Sequence, residues 1–293
     1  MTPRVREILD WYRPENIGVL TNLARLFRAG SLGGSGRLCL LSPPDLLKSN
    51  PEQVHAVNRN SYDPSFRLEL AAGLSVSALS ASRSEIKALM SSSPGEVLTF
   101  LEVNQVGNVP NSRIINSVEE ALSLGCIGVK INLSLNEIES HFTWLCEQVK
   151  EASRLGLIAL VSGVSLDESY ESQSFFDSIS QYAKLATESG AHIINVCLPA
   201  NKFKQKTQEK LFLSHRIKLQ KAFQRVRHLL DVANNGQRII LLSLDESQDA
   251  EELILQGKEI ARGGGFGTIV SSSLWYKYSK DCLLYTSPSP RDS

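Results

Sequence analysis

The sequence predicts an α/β protein built as a (β/α)8 TIM barrel. Eight short apolar runs of strand character recur along the chain. Amphipathic stretches of helical period separate them. Such alternation over about 250 residues is the pattern of a parallel sheet closed on itself. An open doubly wound sheet is the rival. Its glycine-rich dinucleotide turn is missing after the first run, where SPPDLL stands instead.

The expected strands are Arg37–Leu41 (stopped by Pro43 and Pro44), Gly73–Leu79, Val97–Asn104, Ile127–Leu133, Leu157–Val164, His192–Leu198, Arg238–Leu244 and Gly267–Ser271. A helical extension precedes the first. Ser117–Leu124 opens with Ser and carries Glu three residues on, a capping-box pattern, and Gly125 closes it. Leu135–Leu155 and Ser178–Ser189 are helical, closed by Gly156 and Gly190. Thr207–Asn234 reads as one long basic helix and Asp249–Ile260 as the last clear one. Ser-rich stretches at 30–35, 91–95 and 165–174 read as loops.

Composition narrows the function classes. The 293 residues carry 31 basic and 31 acidic side chains, so bulk attraction to nucleic acid or an anionic membrane is not expected. At 42% hydrophobic residues a real core can form. No apolar run approaches the ~20 residues a bilayer needs, and MTPRVREILDWYRPENIG has no secretory pattern. The five cysteines form no CxxC pair, and the histidines show no metal-ligand spacing. A reducing compartment is expected, the cytoplasm first and an organelle as the alternative, with no metal and no cofactor. Residues 282–292, CLLYTSPSPRD, match the translation of a transposon-type sequencing adapter. A single domain over residues 1–281 is therefore expected, its natural end cut off, with 282–293 not native.

From Asn16 to Trp275 the chain resembles the bacterial and archaeal type of class I fructose-bisphosphate aldolase, in the wider Schiff-base aldolase superfamily. The resemblance rests on LARLFRAGSLGGSGRLCLL and YDP within Leu20–Pro64, on SVEEALSLGCIGV, EQVKEASRLGLIALV and YAKLATESGAHII, and on RGGGFGTIV. It implies a barrel, a homo-oligomer and a small carbonyl or sugar ligand. It also implies a Schiff-base lysine on the sixth strand, surrounded by an aspartate, a lysine, two aromatics and phosphate-holding loops. Here the Schiff-base position is Asn195, and the first-strand aspartate falls at Pro44. The third-strand lysine is Glu102, although Asn104 is kept. The aromatic pair falls at Ser162 and Val164. The phosphate loops fall at Leu244, Asp245 and Glu246, and at Ser271 and Ser272.

An amide cannot attack a carbonyl as an amine does. Val164 has no proton to shuttle, and Asp245 and Glu246 would repel a phosphate dianion. The leading expectation is a catalytically degenerate homologue that acts by binding or assembly. An active Schiff-base lyase or transaldolase-like enzyme using Lys130 is the second. An ordinary fructose-bisphosphate aldolase of glycolysis or gluconeogenesis is the third.

Lys130 alternates with Ile127, Val129, Ile131 and Leu133, so it points into the barrel, as Asn132 does. Two roles are open: a relocated Schiff-base amine, or an ion pair with inward Glu102 on the neighbouring strand. Cys197 also points inward, but no base accompanies it, since His192 faces the other way; an inert thiol is expected. The run Asn201–Leu230 holds nine cations and one acid, Glu209. It reads as a solvated helix face, with an acidic partner or RNA as the functional alternative. The glycines of 261–267 suggest a phosphate cradle by themselves, but the resemblance implies a tight entry into the last strand, which is the expectation here.

Overall fold

A computed structural model describes residues 1–42, 63–92, 94–105, 113–114, 116–135, 138–164, 175–215, 217–244 and 250–270. Eight parallel strands close into a barrel. They are β1 (Leu38–Leu41), β2 (Ala78–Ala81), β3 (Thr99–Glu102), β4 (Gly128–Ser134), β5 (Ile158–Val164), β6 (Ile193–Cys197), β7 (Ile239–Ser243) and β8 (Gly267–Val270). The seam joins β1 to β8, Leu38 opposite Gly267 and Leu41 opposite Val270. Gly267 is required there: it sits at φ +139°, and a Cβ would collide with the Leu38 carbonyl. This is the expected tight entry into the last strand. A short antiparallel ribbon, Asn104–Gln105 with Arg113–Ile114, extends beyond β3.

The helices are α1 (Pro3–Asp10), α2 (Ile17–Leu26), α3 (Pro64–Gly73), α4 (Arg83–Ser92), α5 (Val118–Ser123), α6 (Phe142–Arg154), α7 (Phe176–Glu188), α8 (Lys206–Ser214), α9 (Ala222–Val232) and α10 (Ala250–Gly263). The capping box forms as its spacing requires: Glu120 N–H donates to Ser117 Oγ at 3.2 Å, and Ser117 N–H to Glu120 Oε2 at 2.9 Å.

Several boundaries depart from expectation. Ser91 and Ser92, expected in a loop, end α4, and the third strand is Thr99–Glu102 rather than Val97–Asn104. The second strand is Ala78–Ala81, not Gly73–Leu79: Gly73 is still helical, and Ser75 turns the chain at φ +46°. Every residue of β2 is buried, so a barrel strand covered on both faces does not show the period-two pattern. The helix expected from Leu135 starts at Phe142, with Ile138 tucked into the core before it. The long basic helix is two helices, α8 ending at Ser214 and α9 starting at Ala222. Arg225, expected on a solvated face, is buried instead. Its guanidinium donates to the carbonyls of Pro199, Leu219 and Gln220 at 2.7–2.8 Å, which holds it against the ends of the loops.

The N-terminal extension covers the end of the barrel where the strands begin. Tyr12 OH donates to the His192 carbonyl at 2.6 Å and accepts from Ile239 N–H at 3.1 Å, tying together the starts of β6 and β7. Burial pushes the Tyr12 phenol up to about 12, so it stays a donor. His192 is fully buried, accepts from Ala159 N–H at Nδ1 (2.8 Å), and meets Ser153 and Glu15 at Nε2. Contact with His192 holds the Glu15 carboxyl below its ordinary value. Tyr12→Phe leaves two buried backbone groups short of a partner; a loss of about 1–3 kcal/mol is expected in denaturant melts.

Candidate functional site

The strands turn a set of polar side chains into the barrel interior. Neighbouring β3 and β4 are in register at Glu102 and Lys130. Lys130 Nζ lies 3.0 Å from Glu102 Oε1 and donates to Ser42 Oγ at 2.7 Å. Ser80 Oγ lies 3.3 Å from Glu102 Oε1 and 3.1 Å from Ser42 Oγ. Ser42, Ser80, Glu102 and Lys130 are all nine-tenths or more buried. Charges taken out of water need such partners. An ammonium that donates to a carboxylate and a hydroxyl presents no lone pair to a carbonyl.

Around the barrel a second network contains no charge. Ser162 of β5 is in register with Asn195 of β6. Asn195 Nδ2 donates to Ser162 Oγ at 2.9 Å, and Ser243 Oγ donates to Asn195 Oδ1 at 3.1 Å. Both ends of the amide are thus engaged. Asn104 and Asn132 form a third, reciprocal set. Asn104 Nδ2 donates to the Asn132 carbonyl (2.6 Å), Asn132 N–H to Asn104 Oδ1 (2.8 Å), and Asn132 Nδ2 to the Asn104 carbonyl (3.0 Å). Asn132 Oδ1 is buried with no hydrogen-bond partner among the described residues.

Of the expected site positions, Glu102, Asn104, Lys130, Ser162 and Asn195 converge in the barrel. Leu244 is half-buried against the core and Val164 ends β5. Pro44, Asp245, Glu246, Ser271 and Ser272, like residues 282–293, lie outside the described residues. Burial pushes the Cys197 thiol up to about 12, an unreactive range, and His192 faces α6 and the N-terminal segment. Sequence reasoning missed Ser42, Ser80 and Ser243. Their only mark is position: each is a small hydroxyl at or next to a strand's C-terminal end.

No family model and no curated protein matches the sequence. Solved structures do match in shape. A Schiff base-forming fructose-1,6-bisphosphate aldolase superposes with a TM-score of 0.67 at 19% identity, covering 90% of this chain and 96% of that one. An archaeal fructose 1,6-bisphosphate aldolase gives 0.68 at 19%, covering 90% and 95%. The fructose-bisphosphate aldolase from Slackia heliotrinireducens gives 0.74 at 15%, covering 93% and 85%. The chain shares its fold with these aldolases. Fold likeness at this identity does not carry an activity, which has to come from the side chains in the barrel.

Proposed function

We propose that this chain is a class I fructose-bisphosphate aldolase homologue that has lost Schiff-base chemistry. It acts by holding a small, uncharged, hydroxyl-bearing ligand such as a sugar. The carrying observation is Asn195, the resemblance's Schiff-base position, whose amide is bound at both ends by Ser162 and Ser243. The ion pair of Lys130 with Glu102 supports the same reading, since it occupies the only lysine turned into the barrel among the described residues. The two charges cancel, and the other interior partners are hydroxyls and amides. Such a set matches the donors and acceptors of a neutral polyol. Asn132 Oδ1, an acceptor without a donor, adds a place for a ligand hydroxyl. Homo-oligomer assembly belongs to the same proposal and is read by sedimentation of the full chain.

The test is borohydride trapping followed by intact mass. Fructose 1,6-bisphosphate, dihydroxyacetone phosphate and several unphosphorylated ketones and aldehydes are each offered. No covalent adduct is expected, while neutral sugars, added separately, raise the melting temperature. An adduct mapped to Lys130 overturns the proposal in favour of a relocated Schiff base. A panel that neither traps nor stabilises removes the ligand half of it.

A further inference from the structure

The basic run after β6 is not used by the barrel interior, and the structure gives it a definite shape. The loop between β6 and α8, helix α8, and the turn into α9 enclose a groove of about 420 Å³. Phe203, Phe212, Ile217 and Leu219 form its apolar wall, and Lys218 and Glu209 are its charged lining residues. Ile217, in this wall, is 40% exposed, an apolar side chain left open to a partner.

The segment that forms this groove is basic. Asn201–Lys221 holds seven cations and one acid in a chain whose total is zero. Lys204, Lys206, Lys210, Lys218 and Lys221 are exposed, and none of them is in an ion pair among the described residues. An apolar trough lined by Lys218, with exposed Lys206 and Lys210 on α8 and Lys221 at the start of α9, complements a segment with apolar anchors between carboxylates. We propose that this groove docks an acidic peptide segment of another protein, with two or three aliphatic or aromatic side chains seated on Phe203, Phe212 and Ile217.

RNA fits less well. Phe203 and Phe212 meet each other at 5.5 Å, and Phe212 also meets Phe176 edge-on at 5.5 Å and His228 at 5.3 Å. The rings are committed to one another rather than laid out as flat stacking platforms. Glu209 on the wall repels phosphate, whereas a peptide can place a cation or an amide there.

The experiment pans a displayed library of random 16-residue peptides against the full chain, then measures the enriched peptides by fluorescence anisotropy. Enriched sequences are expected to be rich in Asp and Glu with two or three apolar residues, and their binding to fall as salt rises. Lys210→Glu/Lys218→Glu should weaken binding at least 10-fold and Ile217→Ser several-fold. All three positions are exposed, so circular dichroism should stay unchanged. Replacing the peptide's apolar residues by Ser should cost as much as Ile217→Ser. Several outcomes overturn the proposal: no enrichment, enriched peptides indifferent to these variants, or polyglutamate binding as tightly as the selected peptides. Poly(U) binding that the same charge reversals abolish makes the partner RNA instead. An oligomer that they dissociate makes the occupant a second copy of this chain. None of these readouts depends on borohydride trapping, so this proposal and the barrel-ligand reading fail separately.

Discussion

Lys130→Met should lower stability by roughly 3–5 kcal/mol, because it strands a buried carboxylate. Glu102 would keep Ser80 as a neighbour but lose the ammonium at 3.0 Å, and Ser42 would lose the donor at 2.7 Å. In a barrel of this size each kcal/mol moves the melting temperature by about 2–4 °C, so a fall on the order of 10 °C is expected. The double variant Lys130→Met/Glu102→Leu removes both charges together and should recover most of that loss. Replacing a buried pair by apolar groups of similar volume is often neutral or stabilising. This pattern separates the two roles open to Lys130. A structural partner shows strong coupling between the two sites in the double-mutant cycle. A lysine kept for reactivity would instead leave the melting temperature of Lys130→Met near that of the parent, and its loss would show in borohydride trapping.

The readable parts of this protein are those where one residue's environment follows from its neighbours in sequence. The alternation around Lys130 is one: apolar Val129 and Ile131 must face the helices, so Lys130 must face inward. The register of β3 against β4 then places Glu102 beside it. The capping box at Ser117 and the glycines closing α6 and α7 are equally local, with Gly156 at φ +74° and Gly190 at φ +89°. Contacts that bridge distant segments left no such trace. Tyr12 bonds partners 180 and 227 residues away. Arg225 is buried because three loop carbonyls converge on it, and nothing in its helical pattern distinguishes it from solvated Arg227. Ser42, Ser80 and Ser243 were missed for a related reason. A serine at a strand end is equally a loop residue, and only barrel closure brings its hydroxyl to Lys130, Glu102 or Asn195.

Asn195→Lys is the sharper test of the site, because it puts an amine into the barrel interior and asks what the surroundings do with it. The amide occupies a position 4% exposed, between Ser162 and Ser243. No carboxylate bonds it among the described residues, and Glu102 is committed to Lys130. A lysine introduced there enters a site of hydroxyls and apolar neighbours, and burial without a partner favours its neutral form. Two effects follow from that one cause. Stability should fall by several kcal/mol at pH 6, where the chain must either bury a charge or give up a proton. It should recover as the pH rises towards about 10. Across that range the unfolded chain binds more protons at this side chain than the folded one, so unfolding becomes harder with increasing pH. The neutral amine is also the nucleophilic form. The variant should therefore trap a small unphosphorylated aldehyde under borohydride where the parent does not, with the adduct at position 195. A stable variant without pH dependence would mean that solvent or an acid reaches this position. A destabilised variant that traps nothing would mean that the barrel interior no longer admits a carbonyl.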